Sequence, residues 1–164
     1  HWSKRVGKDN KIFLMPKFKT MINNTPNVAT HMLENPNNYV TTFGKFLRKY
    51  SLDELPQLYS IFYGHMTFIG PRPALFNQTD LIELRTKFNI HLIKPGITGW
   101  AQVNGRNAIG WDEKFKLDVW YVENQSFLLD MKILLLTVKK VFVREGISAD
   151  GHVTIEPFKG SNND

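Results

Sequence analysis

Apolar side chains recur at helical spacing in short stretches, and Gly and Pro cut these stretches off before any grows long. Phe43, Phe46, Leu47 and Tyr50 mark one stretch and Leu52, Leu55, Tyr59 and Phe62 the next, so two short helices are expected to meet near Ser51. Gly64, Gly70, Pro71 and Pro73 interrupt the pattern, which resumes from Thr79 to Phe88 and stops at Pro95-Gly96. Two further helices are predicted over Trp111 to Val122 and Asp130 to Val143, the second closed by basic residues and Gly146. Strand signals are sparse. Lys11 to Met21 alternates, with Ile12, Leu14 and Phe18 on one face and Phe13, Met15, Lys17 and Lys19 on the other, and Pro16 restricts it to a sheet edge. Asn23 to Asn38 is rich in Asn, Thr and Pro and reads as turns; Ser148 to Asp164 reads as a polar tail. The expected fold is a helix-rich mixed α/β domain with few short strands and amphipathic helices at its surface. With 164 residues, 42% of them apolar, residues 1–164 suffice for a single core and are expected to form one domain.

The most apolar run, Ile133 to Val138, is bracketed by Asp130, Lys132, Lys139 and Lys140 and falls well short of the about 18 residues a bilayer span requires. It reads as a buried or interfacial helix. Twenty-one Lys and Arg against 15 Asp and Glu leave a net charge of +6, which favours an anionic partner: nucleic acid, anionic lipid or a phosphorylated small molecule. The absence of cysteine excludes disulfides and thiolate chemistry. His1 to Gly7 contains neither an initiator Met nor a signal-peptide pattern, so the chain is expected to begin partway into a longer protein.

Ser51-Leu52-Asp53-Glu54 carries the most chemical information, and it has two readings. Ser51 with Glu54 three residues on is a capping box, and acids in a first turn complement the helix dipole. Alternatively, adjacent carboxylates beside helix-terminal amides can hold a divalent cation, and one of them can attack phosphorus. Pro56 fits either a helix that starts at Ser51 and loses the bond to the Leu52 carbonyl, or a helix that starts at Pro56 with both acids in the preceding turn. Gly70-Pro71-Arg72-Pro73 fixes the backbone on both sides of Arg72, as a rigid presentation of that side chain or as an ordinary turn. The stretch from Pro95 to Asn107 can wrap an anion with backbone N–H groups and offer Arg106 as a planar fork, although connecting turns use the same glycines. Lys17 and Arg48 are equally compatible with a solvated face, and Asp118, inside a predicted helix, with a surface position.

Taken together and in order, these segments resemble the bacterial sugar transferase family, the polyprenyl-phosphate phosphoglycosyl transferases. The resemblance covers almost the whole chain, and its matching stretches are Arg5-Val6-Gly7, Pro16 to Met21, Phe43 to Arg48, Ser51 to Leu58, Gly70 to Pro73 and Lys94 to Asn107. Gly151-His152-Val153-Thr154 and the run before it look most like the small members that handle undecaprenyl-linked bacillosamine-type sugars. The resemblance implies that Asp53 is a nucleophile and that Glu54 assists Mg²⁺ binding. It marks Lys17, Arg48, Arg72, Arg106 and Asp118 as further functional positions. It implies a UDP-sugar donor, an undecaprenyl phosphate acceptor, UMP as product and a place at the cytoplasmic face of the bacterial inner membrane, with no nucleic acid partner. Oligomeric state is not implied. Two departures stand out: the family's hydrophobic re-entrant helix with Ser-Pro has no counterpart, so a form without that anchor is expected, and Gly64-His65-Met66-Thr67 stands where relatives carry Gly-Asp-Met-Ser. The rival expectation from another class is a non-catalytic basic module for anionic lipid or RNA. Phe43, Phe46, Leu47 and the helix from Phe127 to Phe142 are expected to give the apolar area facing a membrane, with Lys45, Arg48, Lys49, Lys139 and Lys140 at its head groups.

Overall fold

The computed structural model describes residues 1–23, 25, 36–105 and 110–143. The segment from Asn23 to Asn38 is mostly outside this set, as are Arg106, Asn107, Gly146, the run Gly151 to Thr154 and the tail from Ser148. Among the described residues are six α-helices: α1 (Thr42–Lys49), α2 (Leu58–Phe62), α3 (Thr79–Lys87), α4 (Trp100–Asn104), α5 (Trp111–Asn124) and α6 (Phe127–Val143). The strands are short: β1 (Trp2–Val6), β2 (Ile12–Pro16), β3 (Thr67–Ile69), β4 (Ala74–Leu75) and β5 (Gly96–Thr98). The helix-rich mixed α/β expectation holds.

Strand β1 lies in the middle of a three-stranded antiparallel sheet in the order β2-β1-β4, with Arg5 opposite Phe13 on one side and Leu75 on the other. β2 is an edge strand and ends at Pro16, earlier than the alternation to Met21 suggests, because proline has no N–H to continue the ladder. Its alternation places Phe13 and Met15 inward, where they meet Met66, Ile61 and Ile97, and leaves Ile12 and Leu14 exposed. A second core of Ile69, Val103, Tyr121 and Ile133 joins β3 to α4, α5 and α6. Helix α6 is thus buried along one side only. Ile133 is inaccessible, while Phe127, Leu128, Leu135 and Val138 face solvent, so the run from Ile133 to Val138 is both buried and surface-exposed.

In the described part of the Gly-bearing stretch after Pro95, Gly96–Thr98 forms strand β5, parallel to β3, and Trp100–Asn104 forms α4. Its glycines serve close approach. A Cβ on Gly96 would sit 2.2 Å from the Gly70 nitrogen, and one on Gly99 would sit 2.2 Å from the Gly70 oxygen. Gly96 N–H in turn donates to the Pro71 carbonyl at 3.0 Å. Gly96→Ala is therefore expected to destabilise the fold by about 3 kcal/mol, the upper part of the overpacking range. A denaturant midpoint unchanged from wild type would show that the two backbones can separate at no cost.

Candidate active site

Helix α1 starts where Thr41 accepts a hydrogen bond on Oγ1 from Gly44 N–H at 2.9 Å, and Arg48 and Lys49 complement the helix dipole in its last turn. Of its apolar residues only Leu47 is buried; Phe43 and Phe46 face outward, which removes Leu47 from the expected membrane-facing set. The chain then turns at Ser51, which adopts left-handed backbone angles of φ 56° and ψ 21°. Its side chain makes no capping bond to the turn that follows, so the capping box does not form. Leu52–Gln57 is a 3-10 turn and α2 begins only at Leu58. Both acids thus lie in the 3-10 turn before the α-helix and share it with Pro56, so the helix starts neither at Ser51 nor at Pro56. An αL conformation at a non-glycine residue is unfavourable by about 1–3 kcal/mol and is commonest beside functional groups.

The turn is tied to the end of β2 by Phe18 N–H, which donates to the Asp53 carbonyl at 3.1 Å. This brings Lys17 Nζ to 3.7 Å from Glu54 Oε1. Arg72, from the Pro71-Arg72-Pro73 segment, closes on the same carboxylate with both terminal nitrogens, Nη1 to Oε2 at 3.4 Å and Nη2 to Oε1. Glu54 is largely enclosed, whereas 47% of the Arg72 side chain remains accessible and available to a further anion. Arg48 donates from Nε to Thr20 Oγ1 at 2.9 Å and lies in the field of Asp53, so it belongs with the acids rather than with the outer face of α1.

The charges act on one another strongly because the site is partly dry. Burial and then the neighbouring Glu54 push the Asp53 carboxyl above its usual range, while Lys17, Arg48 and Arg72 pull it back toward ionisation. Burial lowers the Lys17 ammonium to about 8, against the opposing attraction of Glu54 and Asp53, and Arg72 and Arg5 add repulsion. Glu54 holds the Arg72 guanidinium firmly protonated, outweighing the partial loss of solvent around it. Burial brings Arg5 down to about 10, helped by the repulsion of Arg72.

The structure therefore gathers Asp53, Glu54, Lys17, Arg48 and Arg72 from separate segments. Asp118 stands apart: it is buried on α5 at 5% exposure, not on the surface, and accepts a bond on Oδ2 from Arg85 Nη2 at 2.9 Å. Arg106 lies outside the described residues. Two residues that sequence reasoning did not single out also bear on the site. Arg5 donates from Nη1 to the Pro73 carbonyl at 3.2 Å, and Arg85 donates from Nη1 to the Arg72 carbonyl at 2.7 Å. Arg5 stands inside a stretch that carries the family resemblance, which was the available signal; Arg85, in the last turn of an ordinary helix, gave none.

The chain thus carries an acidic pair ringed by cations on a helix-rich scaffold with two small sheets. It matches the bacterial sugar transferase family over residues 1–144, and it belongs to that family. It is 48% identical to the uncharacterized sugar transferase EpsL of Bacillus subtilis, an alignment covering 96% of this chain and 76% of that protein. It is 35% identical to an undecaprenyl-phosphate galactose phosphotransferase of Salmonella typhimurium, with 87% of this chain and 33% of the relative covered. The same coverage of this chain, 87%, and 35% identity relate it to a UDP-N-acetylgalactosamine-undecaprenyl-phosphate N-acetylgalactosaminephosphotransferase of Aeromonas hydrophila, of which 35% is covered. The chain thus spans about three quarters of the first relative and about a third of the other two.

Proposed function

We propose that this protein transfers a sugar phosphate from a UDP-sugar, of the N-acetylated amino sugar class, to undecaprenyl phosphate and releases UMP. The observation that carries the reading is the convergence of Asp53-Glu54 with Lys17, Arg48 and Arg72. A module built only to bind phosphate has no use for two carboxylates at its centre, whereas a phosphoryl transferase needs a nucleophile and the cations that offset its repulsion from the donor. Relatives named for undecaprenyl-phosphate phosphotransfer support the lipid acceptor; of the two, one is named for N-acetylgalactosamine and the other for galactose.

In the proposed first step an Asp53 carboxylate oxygen attacks the β-phosphorus of the donor. An O–P bond forms, the bond from that phosphorus to the bridging oxygen breaks, and UMP leaves with the electron pair. In the second step an oxygen of undecaprenyl phosphate attacks the same phosphorus, and Asp53 is released as the carboxylate. Arg72 and Lys17 hold donor phosphate oxygens, and Arg48 favours the ionised form of Asp53. Mg²⁺ suits the donor set, because it takes oxygen ligands from one or two carboxylates together with substrate phosphates. No three of His, Cys, Asp or Glu gather into a metal cage among the described residues, so Asp53 and Glu54 would hold the ion jointly with the diphosphate. When bound, it supplies charge neutralisation at the phosphates.

The place of work is the membrane surface at the cytoplasmic face, where the lipid acceptor lies. No described helix is long and apolar enough to cross a membrane. Phe43 and Phe46 stand out from α1 at 68% and 50% exposure, with Lys45 and Lys49 exposed beside them, an arrangement that suits the boundary between acyl chains and head groups.

The test is UMP release from a panel of UDP-sugars, including UDP-galactose, UDP-N-acetylgalactosamine and UDP-N-acetylglucosamine, with undecaprenyl phosphate and Mg²⁺. The expected result is release with an N-acetylated donor that continues beyond a single turnover only when the acceptor is present. Release only with UDP-galactose would move the donor class. No release from any donor, alongside tight RNA binding, would replace the enzyme by a nucleic-acid module.

A further inference from the structure

The segment Pro71-Arg72-Pro73 has a single backbone N–H, that of Arg72, so its place in the fold depends on its carbonyls. All three carbonyls have donors. Pro71 accepts from Gly96 N–H at 3.0 Å, Arg72 from Arg85 Nη1 at 2.7 Å, and Pro73 from Arg5 Nη1 at 3.2 Å. The bond to Arg72 lies on the same residue whose guanidinium grips Glu54. Arg85, on α3, is itself held from the other side by Asp118 of α5, whose carboxylate accepts from Nη2 at 2.9 Å. The two acceptors are bridged by one guanidinium, and Asp118 is too deeply enclosed to meet a substrate directly.

We propose that Arg85 and Asp118 are positioning residues for Arg72: Asp118 orients the Arg85 fork, and Arg85 fixes the Arg72 backbone so that its guanidinium meets the donor phosphate and Glu54 together. The proposal rests on the reading of Arg72 as a phosphate-binding residue. It assigns Asp118 an indirect role and gives the reaction a residue, Arg85, that no single sequence motif reveals. Lysine cannot replace Arg85, since one ammonium on a flexible stem does not bridge the carboxylate and the carbonyl with the geometry of a planar fork.

The experiment is a double-mutant cycle in the intact protein, with kcat/KM for the UDP-sugar donor read from UMP release and the thermal midpoint read in parallel. Arg85→Lys is expected to lower kcat/KM by about ten- to a hundredfold, the usual effect of losing a charge-assisted orienting bond. In an Arg72→Lys background the same change is expected to lower it by about twofold or less, because a residue that acts through Arg72 loses its effect when the guanidinium is gone. Asp118→Asn, which keeps the shape and an acceptor oxygen, is expected to act in the same direction and to lose its effect in the same background. Equal factors in both backgrounds would overturn the proposal, as they would show Arg85 acting on the fold or on the substrate by itself. So would an Arg85→Lys protein with wild-type kcat/KM. Should Arg85→Lys unfold, the Asp118→Asn cycle decides between the same outcomes. A wild-type protein that releases no UMP would instead refute the transferase reading, and this proposal with it.

Discussion

Asp53→Asn is expected to abolish UMP release, by about a thousandfold or more, and to abolish transfer of radiolabel from the donor β-phosphate to the protein. The size of the effect follows from the chemistry, since an amide oxygen is a far weaker nucleophile toward phosphorus than a carboxylate. Glu54 is adjacent in sequence but is engaged by Arg72 and Lys17, and neighbouring positions in a 3-10 turn point about 120° apart. Glu54→Gln is accordingly expected to keep some labelling while weakening the dependence on Mg²⁺. The Asp53→Asn protein should fold at least as well as wild type near neutral pH. Burial and Glu54 raise the Asp53 carboxyl in the folded state, so between its unfolded and folded values the native protein binds more protons and loses stability as pH rises. Asn removes that penalty, which separates loss of chemistry from loss of structure. Label retained on Asp53→Asn, or kinetics in which UMP appears only after both substrates have bound, would replace the covalent route by direct transfer.

The parts of the site legible in the sequence were those whose role is local. Pro71 and Pro73 announced a rigid Arg72, Pro16 restricted its strand to a sheet edge, and the adjacency of Asp53 and Glu54 needed no tertiary information. What stayed hidden depended on partners far along the chain. Trp2 to Val6 has no clean alternation, and it becomes a strand because β2 and β4 pair with it from both sides. The glycines at 96 and 99 suggested an anion loop, yet their requirement comes from the backbone at Gly70, which approaches them from another segment. Asp118 resembled a surface helix residue because Arg85, its partner, lies 33 positions away. Local periodicity predicted α3 and α5 individually, but not that a guanidinium on one would meet a carboxylate on the other. Ser51 illustrates the reverse error. Its spacing to Glu54 satisfied a local rule, and the demand that Glu54 reach Arg72 and Lys17 overrode it.

Lys17→Met is expected to lower kcat/KM by about a hundredfold or more while making the protein more stable, by about 1–3 kcal/mol at pH 7. The two effects have one cause. The Lys17 ammonium is held where burial, Arg72 and Arg5 oppose its charge, with Glu54 and Asp53 offsetting only part of that, so its folded value falls to about 8 from the ordinary 10.5. For a base whose folded value is depressed, the unfolded chain binds more protons between the two values. Stability therefore rises as pH climbs from about 8 toward 10.5, and below about 8 the full penalty remains. Met fills the channel taken by the lysine stem without the charge, which removes the penalty at every pH. Activity moves the other way. A donor diphosphate needs the cation, so wild-type kcat/KM should fall as Lys17 deprotonates above about pH 8. Lys17→Arg, which stays charged, should shift that alkaline limb upward even if its absolute rate is lower. The decisive pair of measurements is the urea midpoint of Lys17→Met at pH 7 and at pH 10, with a gain over wild type that shrinks at the higher pH. A loss at pH 7 would show that Lys17 is a stabilising ion-pair partner of Glu54, and a gain of the same size at both values would show that the gain comes from the packing of Met and not from removal of a buried charge.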